Sequence, residues 1–334
     1  MSLRSTRKYL KRRGIHQGLV CTLIADRALA RSIEIAPDDQ QRLSMRVGNR
    51  RVWFNGARSN LNSALARRCV LHKDVTSRLL RSYGLSAPDN IAFAPGQAEA
   101  AWAWAEQVAP VVVKPTDGGL GNLVHLNITD AGEFQRAFDA VARAGESVLV
   151  ERFVDGVEHR VMVVYGKVVA AARRDPANIV GDGRSSVIES IRAKNKLRVR
   201  SKNPVHWELP IDEDGLRELT RQGLNWDSVP ADGQRVWLRS NSNVHSGGDG
   251  VDVTDELTPE EIRLAERVTR AIPGLKLVGL DMLLPRGGKG SEPFILEVNG
   301  SPMITGHHYP WVGQPRDVAG MLIDAMFPQH TSGN

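Results

Sequence analysis

Three stretches of the chain carry residue types that do chemistry, at spacings that matter. In Phe294-Ile-Leu-Glu297-Val298-Asn299 an acid and an amide stand two apart, so on a strand both project from one face. Burying such a pair alone is costly. A hard divalent cation would satisfy it through oxygen ligands, with Asp281, the one acid in the apolar run Leu275–Leu284, as the third. A hydrogen-bonded pair at a strand end is the plain reading of the same residues. In Pro110-Val-Val-Val-Lys114-Pro115 a short apolar strand ends on a lysine, and Asp117-Gly118-Gly119-Leu120-Gly121 follows at once. Consecutive glycines let backbone N–H groups close around an anion, and the lysine adds a point charge. Most glycine turns are only turns, and no GxxxxGK[ST] pattern occurs, so this is not a Walker loop. The third stretch begins as the buried run Val148-Leu149-Val150 and turns polar at Glu151, Phe153, the turn Asp155-Gly156 and Glu158. Backbone groups at such a strand end suit the edge of a purine. Glu158, seven residues beyond Glu151, suits two ribose hydroxyls because an ionised carboxylate is a pure acceptor. The bland alternative is a strand that ends in a surface turn.

These residues need elements to hold them. Arg46–Phe54 has strand character, and Asn55-Gly56 signals a turn. A helical pattern runs through Leu61, Leu65 and Val70, and His72–Leu80 forms a helix that stops at Tyr83-Gly84; on it Lys73 reads as a solvated lysine. Val124–Asn127 returns as a strand, and a helix from Thr129-Asp130 puts Phe134, Phe138 and Val141 on one face. His159–Tyr165 and Val168–Ala172 pair around Gly166-Lys167, a hairpin that carries Arg160, Arg173 and Arg174. Ser185–Lys194 is a helix, and Lys194–Lys202 reads as a solvated basic loop. Glu213–Gln222 is a helix, and Arg235–Arg239 a strand with an arginine at its end. The polar loop Asn241–Gly248, with Asn243, Ser246 and Gly247, is the sort that touches ligands. Thr258–Ala271 is an amphipathic helix and Pro315–Phe327 a closing one. No internal repeat or low-complexity tract interrupts this order.

A chain of 334 residues allows two or three domains and a sizeable core. No run of eighteen apolar residues occurs, which excludes a membrane-spanning helix. The apolar run from Leu19 is broken by Asp26 and Arg27, so it is a poor signal-peptide core. Two cysteines give neither a disulfide framework nor a metal set, and a reducing cytoplasm is the expected setting. The net charge of +6 admits nucleic acid but also anionic small substrates. The basic residues read as spread along the chain, and aromatic residues are too few for a base-stacking platform.

Taken in order, these motifs resemble those of the ATP-grasp carboxylate–amine ligases over about residues 70–327. The resemblance implies an α+β fold in which two subdomains clasp ATP. Residues 1–70 would be a short segment before it, about 110–160 the small ATP-clasping subdomain, 161–327 the larger subdomain, and 328–334 a tail. It implies that Lys73 and Lys114 hold the phosphates with Gly118, Gly119 and Gly121. It implies that Glu151, Phe153 and Val154 clasp adenine and that Glu158 binds ribose. Asp281, Glu297 and Asn299 would hold one or two magnesium ions, with manganese as a substitute. The segments Glu158–Val164, Ala172–Ala177, Gly181-Asp-Gly, Ser246-Gly-Gly and Asp252–Asp255 are similar to the ATP-grasp half of cyanophycin synthetases. Departures are Asn122-Leu123 in the glycine loop and Gly300-Ser301-Pro302-Met303 after the metal strand. The second ligase half and the large N-terminal domain of those enzymes have no counterpart here, so polymerising cyanophycin is not expected. What is expected is amide or peptide bond formation through an acylphosphate. Arg239 would act as the catalytic cation beside Lys114. Arg160, Arg174, Asn243, Ser246, Gly247, His307 and His308 would meet an amino-acid or short-peptide substrate. A homodimer is compatible with this reading; a membrane or nucleic-acid partner is not required by it. The rival readings are a nucleotide-binding protein of this fold without catalysis, and a basic nucleic-acid-binding protein.

Overall fold

A computed structural model of the chain describes residues 2–15, 18–116, 123–145, 147–240 and 246–330. The first part holds α1 (Leu3–Arg12), α2 (Leu19–Ala30), β1 (Ile35–Pro37), β2 (Leu43–Val47), β3 (Arg50–Asn55), β4 (Arg58–Ser59), α3 (Ala64–Leu71) and α4 (Lys73–Ser82). Then follow β5 (Asn90–Phe93), α5 (Ala98–Val108), β6 (Val111–Pro115), β7 (His125–Ile128), α6 (Ala131–Ala142), β8 (Val148–Arg152), β9 (Val157–Val164) and β10 (Lys167–Asp175). The remainder is β11 (Asn178–Val180), α7 (Val187–Ser201), α8 (Glu213–Arg221), β12 (Arg235–Trp237), β13 (Asp249–Asp252), α9 (Pro259–Ala271), β14 (Leu277–Leu284), β15 (Phe294–Asn299), the short α10 (Thr305–His308) and α11 (Val318–Met326). The mixture of helices with antiparallel sheets is the α+β class expected. Among the described residues no helix is long and apolar enough to cross a membrane, and both cysteines are free.

The chain divides into two compact units. The first comprises Met1–Val169, Leu257–Ile304 and Asp317–Asn334. It contains an antiparallel sheet in the order β5-β8-β6-β7, whose inner face packs on α5 and α6. Asp130 caps α6 by accepting from the Glu133 amide, and Phe134, Ala137, Phe138 and Val141 recur at helical spacing, so one stripe enters the core with Val111, Val113, Val148 and Val150. The same unit holds β9, β14 and β15, with β14 between the other two and antiparallel to both. Near the N-terminus β1 to β4 form a meander. The single strand expected over Arg46–Phe54 is in fact parts of β2 and β3, because the chain reverses between Val47 and Arg50, with Gly48 at φ +56°. Helix α2 is buried over most of its surface and is tied to the C-terminal end by Arg27–Asp317 at 2.7 Å and Arg31–Asp324 at 2.5 Å. Asn62 is a buried fastener: its amide donates to the carbonyls of Leu277 and Gly300, each at 2.8 Å. Its oxygen accepts from the amides of Lys276 and Leu277.

The second unit comprises Ala170–Glu256 and Thr305–Arg316. Here β10 pairs with β13 and β11 with β12, and α7 and α8 enclose a small core of Ile179, Val187, Ile191, Leu219, Val236 and Leu238. The basic stretch expected as a loop from Lys194 is helical through Ser201. The reason lies in its i, i+4 pair: Lys194 and Arg198 both turn inward and share Asp249, at 2.6 and 2.5 Å. A second buried layer completes the network. Asn178 also donates to Asp249 at 3.0 Å, and Arg198 donates to the carbonyl of Gly247 at 3.0 Å.

Candidate active site

In the first unit, strand register gathers the expected residues. Asp281 lies opposite Glu297 on one side and Arg160 on the other. Directly opposed residues in antiparallel strands share a face, as do residues two apart. Glu158 and Arg160 of β9, Asp281 of β14, and Glu297 and Asn299 of β15 therefore line one face of three adjacent strands. The face is crowded at Gly279: a Cβ there would lie 2.8 Å from Pro302 Cβ and 3.1 Å from Arg160 Cδ. Arg160 grips Asp281 bidentately, Nε to Oδ1 at 2.5 Å and an Nη to Oδ2 at 3.0 Å. Burial opposes the arginine charge, but Asp281, with Glu297 and Glu158 further out, raises its pKa above the usual value. One edge of that guanidinium is thus committed to Asp281 and not to a substrate. Lys73, at the first turn of α4, is not the solvated lysine expected from its helix alone: it is 15% exposed and its Nζ lies 3.8 Å from Glu297 Oε2.

In the four-stranded sheet, Lys114 of β6 and Glu151 of β8 form an ion pair at 2.6 Å, with side chains 12% and 3% exposed. Asn90, opposite Glu151 on β5, donates to its other oxygen at 3.1 Å. Sequence reasoning missed Asn90, because a lone amide on a short strand carries no local signal. The N–H groups of Arg152 and Phe153 are already used, by the carbonyls of Asp89 and Pro110 at 2.8 Å each. What Phe153 presents is its half-buried ring, and Val154 continues the same crossover. The turn Asp155-Gly156 seats this crossover on β14, where a Cβ on Gly156 would stand 2.9 Å from Leu283 Cβ.

The second unit holds the other candidates. Arg239 is tied to Asp212 at 2.5 Å and to its neighbour's carbonyl at 2.8 Å. Asp212 is itself the cap of α8. Gly247 takes φ +93° and packs closely on Leu209 and Pro210. Arg174, on β10, is half-buried opposite Gly250, and Ser246 precedes Gly247 in the same unit. His307 and His308 are 3% and 8% exposed, packed rather than presented. His206, also missed, sits with its two ring nitrogens 3.3 and 3.1 Å from the carbonyls of Gly248 and Tyr309. Burial pushes its pKa down, and Arg198 adds to this. Gly118, Gly119, Gly121 and Asn243 lie outside the described residues.

The donor set Asp281, Glu297 and Asn299 fits magnesium in kind: two carboxylates and an amide, all hard oxygen ligands on adjacent strands. Glu297 is the most open of the acids, with a 37% exposed side chain. Asn299 Oδ1 accepts from the Ser301 amide at 2.9 Å, which holds the amide oxygen in a fixed orientation. Among the described residues no group of three or more His, Cys, Asp or Glu gathers as a metal cluster.

No family model matches the chain. Cyanophycin synthetase of Trichormus variabilis is 37% identical over 270 residues, 78% of this chain and 29% of that protein. The glutathione biosynthesis bifunctional protein GshAB of Mannheimia succiniciproducens is 32% identical over 311 residues, 89% of this chain and 41% of that protein. The chain therefore spans well under half the length of either relative. The crystal structure of a bifunctional glutathione synthetase from Pasteurella multocida superposes with a TM-score of 0.69 at 26% identity, covering 93% of this chain and 43% of that one. D-alanine–D-alanine ligase from Bacillus anthracis, at 16% identity and TM-score 0.50, shares the fold alone. The chain has the ATP-grasp fold and is similar to one part of the cyanophycin synthetases and bifunctional glutathione-biosynthesis proteins.

Proposed function

We propose that the protein is an ATP-dependent carboxylate–amine ligase that joins an amino acid or short peptide to an amine. The observation that carries this reading is the single strand face with Glu158, Arg160, Asp281, Glu297 and Asn299, to which α4 brings Lys73. A substrate carboxylate oxygen attacks the γ-phosphorus of ATP, the bond to the bridging oxygen breaks, and ADP leaves. The amine nitrogen then attacks the acylphosphate carbon, phosphate departs and a proton is lost from nitrogen. Phosphoryl transfer needs positioning and charge neutralisation more than covalent help from the protein. Lys73 supplies a fixed cation beside Glu297. Lys114, held by Glu151, supplies a second on the neighbouring sheet, and Glu158 suits the ribose hydroxyls. Magnesium, when bound by Asp281, Glu297 and Asn299, supplies further neutralisation of phosphate charge. Arg160 holds Asp281 in place rather than gripping substrate. A guanidinium matches a carboxylate bidentately, and in the second unit Arg174 and Arg239 are the candidates for holding one. The burial of His307 and His308 favours a packing role over substrate contact. The similarity to a cyanophycin synthetase and to a glutathione biosynthesis protein supports this substrate class.

The test is a screen of amino acids and short peptides for ADP release, with mass detection of products. Glu297→Ala should abolish ADP release while the fold persists. Undiminished turnover in a folded Glu297→Ala protein would remove the metal assignment. Nucleotide binding without ADP release from any substrate would favour the non-catalytic reading.

A further inference from the structure

The excess positive charge of this protein sits in two acid-free stretches, residues 42–73 with eight Lys or Arg, and the N-terminal helix. Residues 2–13 contain Arg4, Arg7, Lys8, Lys11, Arg12 and Arg13 and no acid. Taking those six from the 44 Lys and Arg leaves 38, which the 38 Asp and Glu match, so the rest of the molecule is neutral as a whole. All six are exposed. Among the described residues none of them forms an ion pair, whereas Arg27, Arg31, Arg160, Arg198, Arg239 and Arg316 each find a carboxylate.

The fold presents this charge on a rigid face. Helix α1 is fixed by its opposite edge, where Leu10 is fully buried and Thr6 donates to the buried Asp26 at 2.7 Å. At 3.6 residues per turn, Arg4, Arg7, Lys8, Lys11 and Arg12 fall within an arc of about 140° away from that edge. Arg13 is stacked at 3.8 Å on the ring of Tyr9. Five cations over about 12 Å of helix give one per roughly 2.4 Å, close to the one anion per about 1.7 Å of a nucleic-acid duplex.

We propose that α1 is a docking surface for the phosphate backbone of double-stranded nucleic acid, bound without sequence readout. This does not depend on the ligase reading. An anionic membrane is the rival partner, but a helix that lies in a membrane needs an apolar face to insert. The apolar edge of α1 is committed to the protein interior, and its outward face has only charge and the hydroxyls of Ser2 and Ser5 to offer. Phosphate neutralisation needs nothing more.

The experiment is fluorescence anisotropy of a short mixed-sequence DNA duplex with the full chain at rising potassium chloride, beside flotation with vesicles of phosphatidylcholine and phosphatidylserine. The expected plot of log affinity against log salt has a slope of about −5, as six neutralised phosphates require. Arg4→Gln/Arg7→Gln/Lys8→Gln/Lys11→Gln should bring it to about −2, with the circular dichroism melt unchanged. The milder Lys8→Gln/Lys11→Gln should reduce it by about 2, which keeps the test open if the fourfold variant misfolds. Absence of duplex binding at low salt, a slope unmoved by either variant, or retention on vesicles without retention on the duplex would each overturn the proposal. Neither variant touches a residue of the nucleotide site, so ADP release reports separately on the ligase reading.

Discussion

Lys114 shows how one side chain can serve both fold and chemistry. Its ammonium neutralises Glu151 inside the sheet, and Asn90 satisfies the other carboxylate oxygen. Removing the lysine alone leaves a carboxylate buried with an amide only, and breaking a buried pair from one side costs about 3–5 kcal/mol. Lys114→Met should therefore lower the melting temperature as well as raise the ATP concentration needed for turnover. Lys114→Met/Glu151→Leu separates the two effects. It removes both charges, so stability should return towards that of the parent while the ATP requirement stays high. Recovery of both together in the double variant would show that Lys114 has no part in holding phosphate.

At the scale of elements, legibility followed how local the cause was. The helix behind Asp130 and the strands at Val148 and Phe294 were readable because capping and apolar runs are written in neighbouring residues. Asp281, Glu297 and Asn299 could be paired on paper because strand periodicity predicts a shared face. What escaped was set by distant partners. The inward turn of Lys194 and Arg198 depends on Asp249, which lies 55 and 51 residues further along the chain. The nearly all-round burial of α2 depends on α11. A close approach of this kind also fixes Gly274, which follows α9 at φ +96° and whose carbonyl accepts from the amide of Ser63, the cap of α3. A Cβ there would stand 2.3 Å from Ser63 Oγ. Gly274→Ala should destabilise by about 2–3 kcal/mol in urea unfolding. Gly287→Ala, with φ +60° and open space around it, should cost only about 1 kcal/mol, the backbone part alone. Equal losses at the two positions would show that α3 and the Gly274 turn part without penalty.

For the whole molecule, the charged network fixes the response to acid. Burial raises the pKa of Glu261, but Arg286 and the Thr258 amide outweigh it, and the net shift is down. Asp252 behaves likewise, burial being outweighed by Arg316 and Thr254. Asp182, at the surface, is held at about 2 by the amide and hydroxyl of Ser185 and the Arg184 amide. A carboxylate with a depressed native pKa contributes stability above its unfolded pKa, and that stability is lost as pH falls through the native value. His206 is also depressed, so below its ordinary value of 6.5 the unfolded chain takes up a proton that the native one refuses. Urea midpoints should therefore decline gently as pH drops through 6.5 and steeply below about 4.5. Glu261→Gln should flatten the steep limb and leave the gentle one. A midpoint that rises on acidification between pH 7 and 5 would contradict the burial of a neutral His206.

The Asn62 fastener has a consequence for how the chain is made. Its amide reaches Gly300, 238 residues later, and at about 5–20 residues per second that interval lasts roughly 10–50 s. The C-terminal helix α11, which covers α2, emerges later still. During synthesis Val20, Leu23 and Ile24 thus wait without their final cover, exposed to chaperones and proteases. Most of the second unit, Ala170–Glu256, has by then left the ribosome with its own core complete in sequence. Ribosome-stalled chains ending before Gly300 should be cut by a protease within α2, and chains released after residue 330 should resist.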